Sequence, residues 1–360
     1  MTPIITPRLE IFPSRIAENA NSILQLCHQH QIQVACVGKV VCAHEAVIHT
    51  LEACGADMIA DSRLENLARI KNAGIRLPRM LLRIPTPSRV AEVIDLADIS
   101  LVSDLATIKA ISAEAASRKV RHQVILMVDL GDLREGIWPD RLLEVLSQTL
   151  HLPALTVIGL GVNLACYGGV VPDMEKMEQL VHLREEARQA FGVDLPVLCG
   201  GNSANLPLLL SEGMPPEINL LRIGESILLG RNVLDRSPFP GTRQDTFQLV
   251  AEIIEMERKP SLPIGKRGQD AFGGEPQFID RGIRWRAICN IGRQDTVIDN
   301  LTPLDPGILV LGGSSDHLIL DVENASKSMK TGDEITFFPG YGALLAASTS
   351  PYVEKVVVQE

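Results

Sequence analysis

Lys39 closes a short apolar run, Val34-Ala35-Cys36-Val37-Gly38-Lys39. A run of this length with β-branched residues suits a strand covered on both faces. Lysine is rarely fully buried. Where it is, desolvation lowers the ammonium pKa, and the neutral amine becomes a nucleophile able to form a Schiff base. The same stretch also fits a lysine that snorkels past the strand end or forms a salt bridge there. Taken alone, it favours that second reading.

Four polar clusters follow other apolar runs. Val128-Asp129-Leu130-Gly131-Asp132-Leu133-Arg134-Glu135-Gly136 packs charges between two glycines; it reads as a charged surface loop or a substrate-facing one. Gly161-Val162-Asn163-Leu164-Ala165-Cys166-Tyr167-Gly168-Gly169 is a mostly uncharged loop suited to contact with a planar ring, or a packed turn. Gly200-Gly201-Asn202-Ser203-Ala204-Asn205 precedes the helical residues 206–212. Paired glycines and a serine at a helix start make a phosphate site, or an ordinary N-cap. In Leu221-Arg222-Ile223-Gly224-Glu225-Ser226, an arginine ends an apolar strand and a glycine allows close backbone approach. A buried arginine needs a partner, and ligand atoms are one candidate.

One amine nucleophile, two phosphate-cradling strand ends and one inward arginine fit pyridoxal phosphate better than a Mg²⁺ or nicotinamide site. The first strand is not followed by G-x-G-x-x-G, and there is no P-loop. His44, His49 and His317 lack ligand spacing, so no metal is expected.

The elements that must position these groups alternate. Residues 34–37, 57–60, 80–84, 99–102, 124–129, 156–161, 197–200 and 219–223 read as eight strands separated by amphipathic helices. That pattern predicts a closed (β/α)₈ barrel, an α/β fold of TIM type with its active site at the carboxyl ends of the strands. Ser62-Arg63-Leu64-Glu65 reads as a capping box and Gly74 as a helix end. Residues 9–12 form a surplus strand expected to join a second domain. Beyond residue 235 the texture turns to short alternating runs at 248–256, 285–291, 307–311, 317–322, 334–338 and 353–358. These predict a C-terminal all-β domain over 236–360 after a barrel over 1–235. The Gly-rich stretch 264–280 reads as an ordered loop.

The chain has 360 residues, 46% hydrophobic, with a net charge of -10. That charge argues against nucleic acid or an anionic membrane as main partner. No run is long enough for a membrane span, and the first residues lack the basic and apolar regions of a signal peptide. Seven cysteines without a Cys-x-x-Cys pair point to a reducing compartment, and a cytoplasmic location is expected.

The chain resembles the alanine racemase-like, fold-type III pyridoxal-phosphate enzymes, and within them the ornithine racemase group. VGKVVCAHEAV, MVDLGDLREGI, GLGVNLACYGG, CGGNSANLPLLL, INLLRIGESILLGR and KPSLPIGKRGQDAFGG are among the segments that carry the likeness. The resemblance implies a barrel and a β-domain in a head-to-tail homodimer whose active site draws on both subunits. It makes Lys39 the Schiff-base lysine and one catalytic base. It sets Arg222 against the pyridine nitrogen, which stays unprotonated and so favours racemisation over side reactions. Ser203, Gly224 and Tyr341 match phosphate contacts, with Glu225 in the same cofactor-binding set. Asn163 falls where relatives carry a residue near the ring, and Arg134 matches an arginine on the substrate side. Where the general alanine racemases have a Gly-Tyr-x-Asp signature with a catalytic tyrosine, this chain has Gly292-Arg293-Gln294-Asp295. Ala43 and His44 stand where the family has a tyrosine after the lysine. Asp295, Asp316, His317 and Tyr167 are therefore the candidates for the second base.

The expected activity is racemisation of a basic amino acid such as ornithine, by Cα proton removal on one face and return on the other. Asp270, Asp295 and Asp316, in acidic loops of the β-domain, would receive the substrate's distal ammonium. Alternatives are an alanine or broad-specificity racemase, a D-threonine aldolase-like lyase of the same fold, and a non-catalytic pyridoxal-phosphate carrier.

Overall fold

The computed structural model describes residues 5–360. The chain divides into two compact units: Pro13–Gln244, and the N-terminal residues through Phe12 together with Asp245–Glu360. Strand β1 (Arg8–Ile11) belongs to the second of these.

The first unit is a closed barrel of eight parallel strands: β2 (Gln33–Val37), β3 (Met58–Asp61), β4 (Arg79–Leu81), β5 (Ile99–Val102), β6 (His122–Val128), β7 (Leu155–Val162), β8 (Val197–Asn202) and β9 (Leu220–Ile223). β9 closes on β2 with Ala35 opposite Arg222. Both faces of each strand are covered, which explains the continuous apolar runs. Along β6, Ile125 and Met127 join the barrel interior with Ala35, Ala60, Leu101 and Leu220. Val124, Leu126 and Val128 face outward, in one cluster with Leu142, Leu146 and Leu180 of the helix layer. Each such side chain contributes roughly 1.5–3 kcal/mol by burial.

Two local readings change. Helix Leu64–Asn72 has Arg63 as its N-cap and no side-chain cap bond, so Ser62 does not form the expected capping box. Asp61 takes over: its Oδ1 accepts from Arg63 N at 2.9 Å and from Asn66 Nδ2 at 3.0 Å. The barrel unit also extends to Gln244, past the expected boundary at 235. Asn19 fixes that segment, donating to Arg243 O at 2.8 Å and accepting from Arg243 N at 2.6 Å, while Phe239 is buried.

The second unit is an eight-stranded sheet. To β1 it adds β10 (Phe247–Pro260), β11 (Ile283–Cys289), β12 (Leu301–Pro303), β13 (Leu309–Gly313), β14 (Leu318–Asp321), β15 (Glu334–Pro339) and β16 (Glu354–Val357). The order is β12-β15-β10-β11-β14-β13, with β1 between β10 and β16. The first half of β10 pairs with β1 and β15; beyond a bulge at Ile253/Glu255 it pairs with β11. Phe247, Leu249, Ala251 and Ile253 form its buried side. A nine-residue helix, Tyr341–Thr349, also belongs to this unit. The strand-free connection between β10 and β11 lines a cavity of about 510 Å³ with Phe272 and Phe278, across from Leu309 and Ile319.

Candidate active site

Lys39 stands where β2 stops. Gly38 N extends the ladder to Ala60 O at 3.0 Å, and Lys39 then opens a single 3₁₀ turn, Lys39–Val41. Its side chain is half-buried at the carboxyl end of the barrel, the end at which barrel enzymes do chemistry. Two carboxylates feel its charge. Burial pushes the Asp61 carboxyl up to about 6, against the pull of its hydrogen bonds and of Lys39. Its Oδ2 is buried without a hydrogen-bond partner. Burial also raises Glu225, against the pull of Arg236, with which it pairs, and of Lys39. Asp61 was not singled out from sequence; the available signal was one acid closing the apolar strand Met58–Asp61.

Arg222 is 5% exposed on β9. It donates from Nη1 to Cys199 Sγ at 2.7 Å, and from Nη2 to Val162 O at 2.9 Å and Asn163 Oδ1 at 3.3 Å. Asn163 Oδ1 also accepts from Asn202 Nδ2 at 3.2 Å, and Asn163 Nδ2 is buried with no partner. The ends of β7, β8 and β9 therefore bring Asn163, Cys199 and Arg222 together.

Ser203 lies beside them. Its Oγ accepts from Gly224 N at 3.3 Å and Ser226 N at 3.4 Å. Two long bonds to one hydroxyl leave those N–H groups available to a stronger anionic acceptor. A Cβ on Gly224 would lie 3.0 Å from Val37 Cβ, so the backbone passes too closely for a larger residue without a shift. This anion cradle, the inward guanidinium, the unpartnered amide of Asn163 and the lysine at β2 occupy one end of the barrel. Their donors fit the phosphate, ring and aldehyde of pyridoxal phosphate.

The β6 and β7 loops carry the remaining barrel candidates. Arg134 pairs with Glu135 and donates from Nη1 to Cys166 Sγ at 2.8 Å. Asp132, 1% exposed, accepts from Tyr167 N at 2.9 Å, Val170 N at 3.2 Å and Cys166 N at 3.3 Å. Burial would raise its carboxyl, but these backbone donors hold it below the usual range. The Tyr167 side chain is 77% exposed.

Asp270, Asp295, Asp316, His317 and Tyr341 belong to the other unit. Three loops there meet. Arg293 N and Gln294 N donate to Ser314 O and Ser315 O, at 3.0 and 2.9 Å. The Arg293 guanidinium stacks over Phe272 at 5.0 Å and lowers the Asp270 carboxyl, after the larger effect of the Gly274 and Phe272 N–H groups. Asp316 Oδ1 and His317 Nδ1 are 3.0 Å apart and both side chains are exposed. Asp270, Asp316 and His317 thus share one loop cluster. Asp295 does not face out with them: it is 3% exposed and accepts from Ser350 Oγ at 2.7 Å. Tyr341 opens the helix Tyr341–Thr349. Among the described residues, no three His, Cys, Asp or Glu side chains gather as a metal-binding group.

The family model described as alanine racemase, N-terminal domain, matches residues 11–232. The ornithine racemase of Acetoanaerobium sticklandii is 43% identical over 350 residues, covering 97% of this chain and 99% of that protein. The lysine racemase of Thermotoga maritima is 39% identical over 353 residues, covering 98% and 99%. Among solved structures, alanine racemase from Bacillus anthracis with bound L-Ala-P superposes with a TM-score of 0.75 at 16% identity, covering 99% of this chain and 96% of that one. D-threo-3-hydroxyaspartate dehydratase from Delftia sp. HT23 gives 0.72 at 18%, covering 99% and 95%. The last two share the fold. With a lysine, a guanidinium and an anion cradle at one barrel end, and near-full-length relatives that are racemases, the chain belongs to the alanine racemase family of fold-type III pyridoxal-phosphate enzymes and is an amino-acid racemase.

Proposed function

We propose that this enzyme interconverts the L and D forms of a basic amino acid, ornithine or lysine. The observation that carries the choice is the match along nearly the whole chain to an ornithine racemase and a lysine racemase, at 43% and 39% identity. Pyridoxal phosphate, when bound, supplies the electron sink that acidifies the substrate Cα–H. Lys39 would hold the cofactor through its amine and would move the proton at Cα on one face. Ser203 Oγ with the Gly224 N–H would bind the phosphate. Arg222, whose hydrogen-bond partners include no carboxylate, would hold the ring nitrogen. Asn163 steadies the guanidinium from the side.

Arg134 suits the substrate carboxylate, since a guanidinium fork matches it in shape and charge. The proximity of Asp270, Asp316 and His317 in one loop cluster supports a role for these loops in receiving the distal ammonium. They would act across a head-to-tail homodimer, and Asp316 or His317 would supply the second proton-transfer group. Free thiols at all seven cysteines support a cytoplasmic setting.

The test is a panel of single-enantiomer amino acids with chiral product analysis. Ornithine or lysine should racemise fastest. Preference for alanine or serine, or cleavage of D-threonine in place of racemisation, would overturn the reading. Light scattering during gel filtration checks the dimer.

A further inference from the structure

We propose that Asp132 is a positioning residue for the substrate's α-carboxylate. It locks the β7 loop onto the β6 loop and so fixes where Arg134 points. The inference rests on the reading of Arg134 as the carboxylate-binding group.

The β6 loop is stiff by itself. Asp129 N donates to Ile137 O at 3.0 Å and Ile137 N to Met127 O at 2.7 Å, so the loop folds back onto its own strand. Asp129 Oδ1 accepts from Gly131 N at 2.9 Å and Leu133 N at 3.2 Å, which shapes the turn leading to Arg134. The β7 loop is closed by one internal bond, from Ala165 N to Val170 O at 2.8 Å, and the segment between, Cys166-Tyr167-Gly168, is held from the β6 loop. Its N–H groups turn to a single buried acceptor, the Asp132 carboxylate, and Gly168 N donates to Asp132 O at 3.0 Å. A Cβ on Gly168 would lie 2.7 Å from that same oxygen, so the two loops are in backbone contact.

Arg134 spans this junction. Glu135 takes one side of its fork, and Nη1 points to Cys166 Sγ on the clamped loop. A thiol is a weak acceptor. An incoming carboxylate can replace it on Nη1, provided that the loop holds the guanidinium in place. If Asp132 loses its charge, the β7 loop loosens, and Arg134 loses the wall that orients it.

The test compares Asp132→Asn with Arg134→Gln, using the holoenzyme. Each is assayed for the KM and kcat of ornithine and for competitive inhibition by putrescine, the same diamine without the carboxylate. Asp132→Asn weakens the charge-assisted contact to the carboxylate, so it should raise the ornithine KM about tenfold or more and change kcat less. It should leave putrescine inhibition as in wild type. Arg134→Gln should show the same selectivity, more strongly. Gly168→Ala pushes on the clamp from the opposite side and should reproduce the KM effect, which covers the case of a poorly folding Asp132→Asn. A normal ornithine KM in both Asp132→Asn and Gly168→Ala, with a raised one in Arg134→Gln, overturns the proposal and leaves the Arg134 reading intact. A normal KM in all three removes the Arg134 reading and the proposal with it. Equal weakening of ornithine and putrescine makes Asp132 a general structural group and also overturns it.

Discussion

Arg222 donates from Nη1 to Cys199 Sγ at 2.7 Å, and its other partners are the Val162 carbonyl and the Asn163 amide. None of the three is a carboxylate. The guanidinium, buried at the barrel end, is thus hydrogen-bonded without an acid partner, and a cofactor ring nitrogen is the acceptor that would suit it.

That arrangement predicts the effect of Arg222→Glu. A carboxylate there would favour a protonated ring nitrogen and turn part of the turnover into side transamination. The expected outcome is a fall in racemisation together with faster formation of pyridoxamine phosphate, measured by chromatography of the released cofactor. The carboxylate would also face the Val162 carbonyl, so a stability loss of about 1–3 kcal/mol is expected. An unchanged rate of pyridoxamine phosphate formation would reduce Arg222 to a barrel plug.

Lys39→Ala should lower racemisation by at least about 10²–10⁴-fold, the range for a lost acid–base group. Lys39 is half-buried and outside the core clusters, so thermal unfolding should change little. In the wild-type protein, borohydride reduction followed by peptide mapping should place the cofactor on Lys39; label on another lysine refutes the assignment.

The barrel was legible because its strands are covered twice and read as unbroken apolar runs. All eight predicted segments overlap strands β2 to β9. Two barrel candidates stood out for the same reason: Lys39 and Arg222 are charges attached to strands that should carry none, and the structure brings both to one end of the barrel. Asp61 and Asp132 were harder. Asp61 stands just before a helix and reads as turn chemistry, which it also performs by accepting from Arg63 N. Asp132 draws its role from backbone N–H groups more than thirty residues away, and no local pattern encodes that. In the β-domain, the short strand Leu301–Pro303 and the helix Tyr341–Thr349 were missed. The first is too short to show alternation. The second, YGALLAAST, has small and apolar residues all round and no polar face to mark its period.

The acids of the β-domain should separate on substitution. Asp270 and Asp316 lie in the exposed loop cluster, so Asp270→Asn or Asp316→Asn should lower kcat/KM for ornithine or lysine about ten- to a thousand-fold while sparing alanine-sized substrates. Asp295 is tied to Ser350 inside the unit. Asp295→Ala would strip a buried hydroxyl of its acceptor and cost about 1–3 kcal/mol. Its activity loss should then follow unfolding and affect every substrate alike. If both loop-acid variants keep full activity on the basic substrates, the distal group is read elsewhere.

Two buried groups in the barrel unit give opposing pH dependences over one window. Burial raises the Asp61 carboxyl from 3.8 to about 6. Between those values the unfolded chain releases the proton and the folded barrel keeps it, so stability falls as pH rises and is flat above about 6. The loss is of order 3 kcal/mol, from 2.2 pKa units at about 1.4 kcal/mol each. His122 runs the other way. It is 3% exposed, contacts Ser100 Oγ through Nε2 at 2.9 Å, and burial lowers its pKa from 6.5 to about 4. Below 6.5 the unfolded chain takes up the proton first, so stability falls as pH drops toward 4, by a similar amount. In the wild-type protein the two slopes nearly cancel. They should reappear in single variants followed by urea unfolding at pH 4 and pH 7. Asp61→Asn keeps an acceptor for Arg63 N, and it should gain stability relative to wild type as pH rises. His122→Gln should gain relative to wild type as pH falls. Parallel profiles for wild type and Asp61→Asn would mean that the Asp61 carboxyl ionises in the folded barrel as it does in water, and that the oxygen facing the Lys39 turn is hydrated.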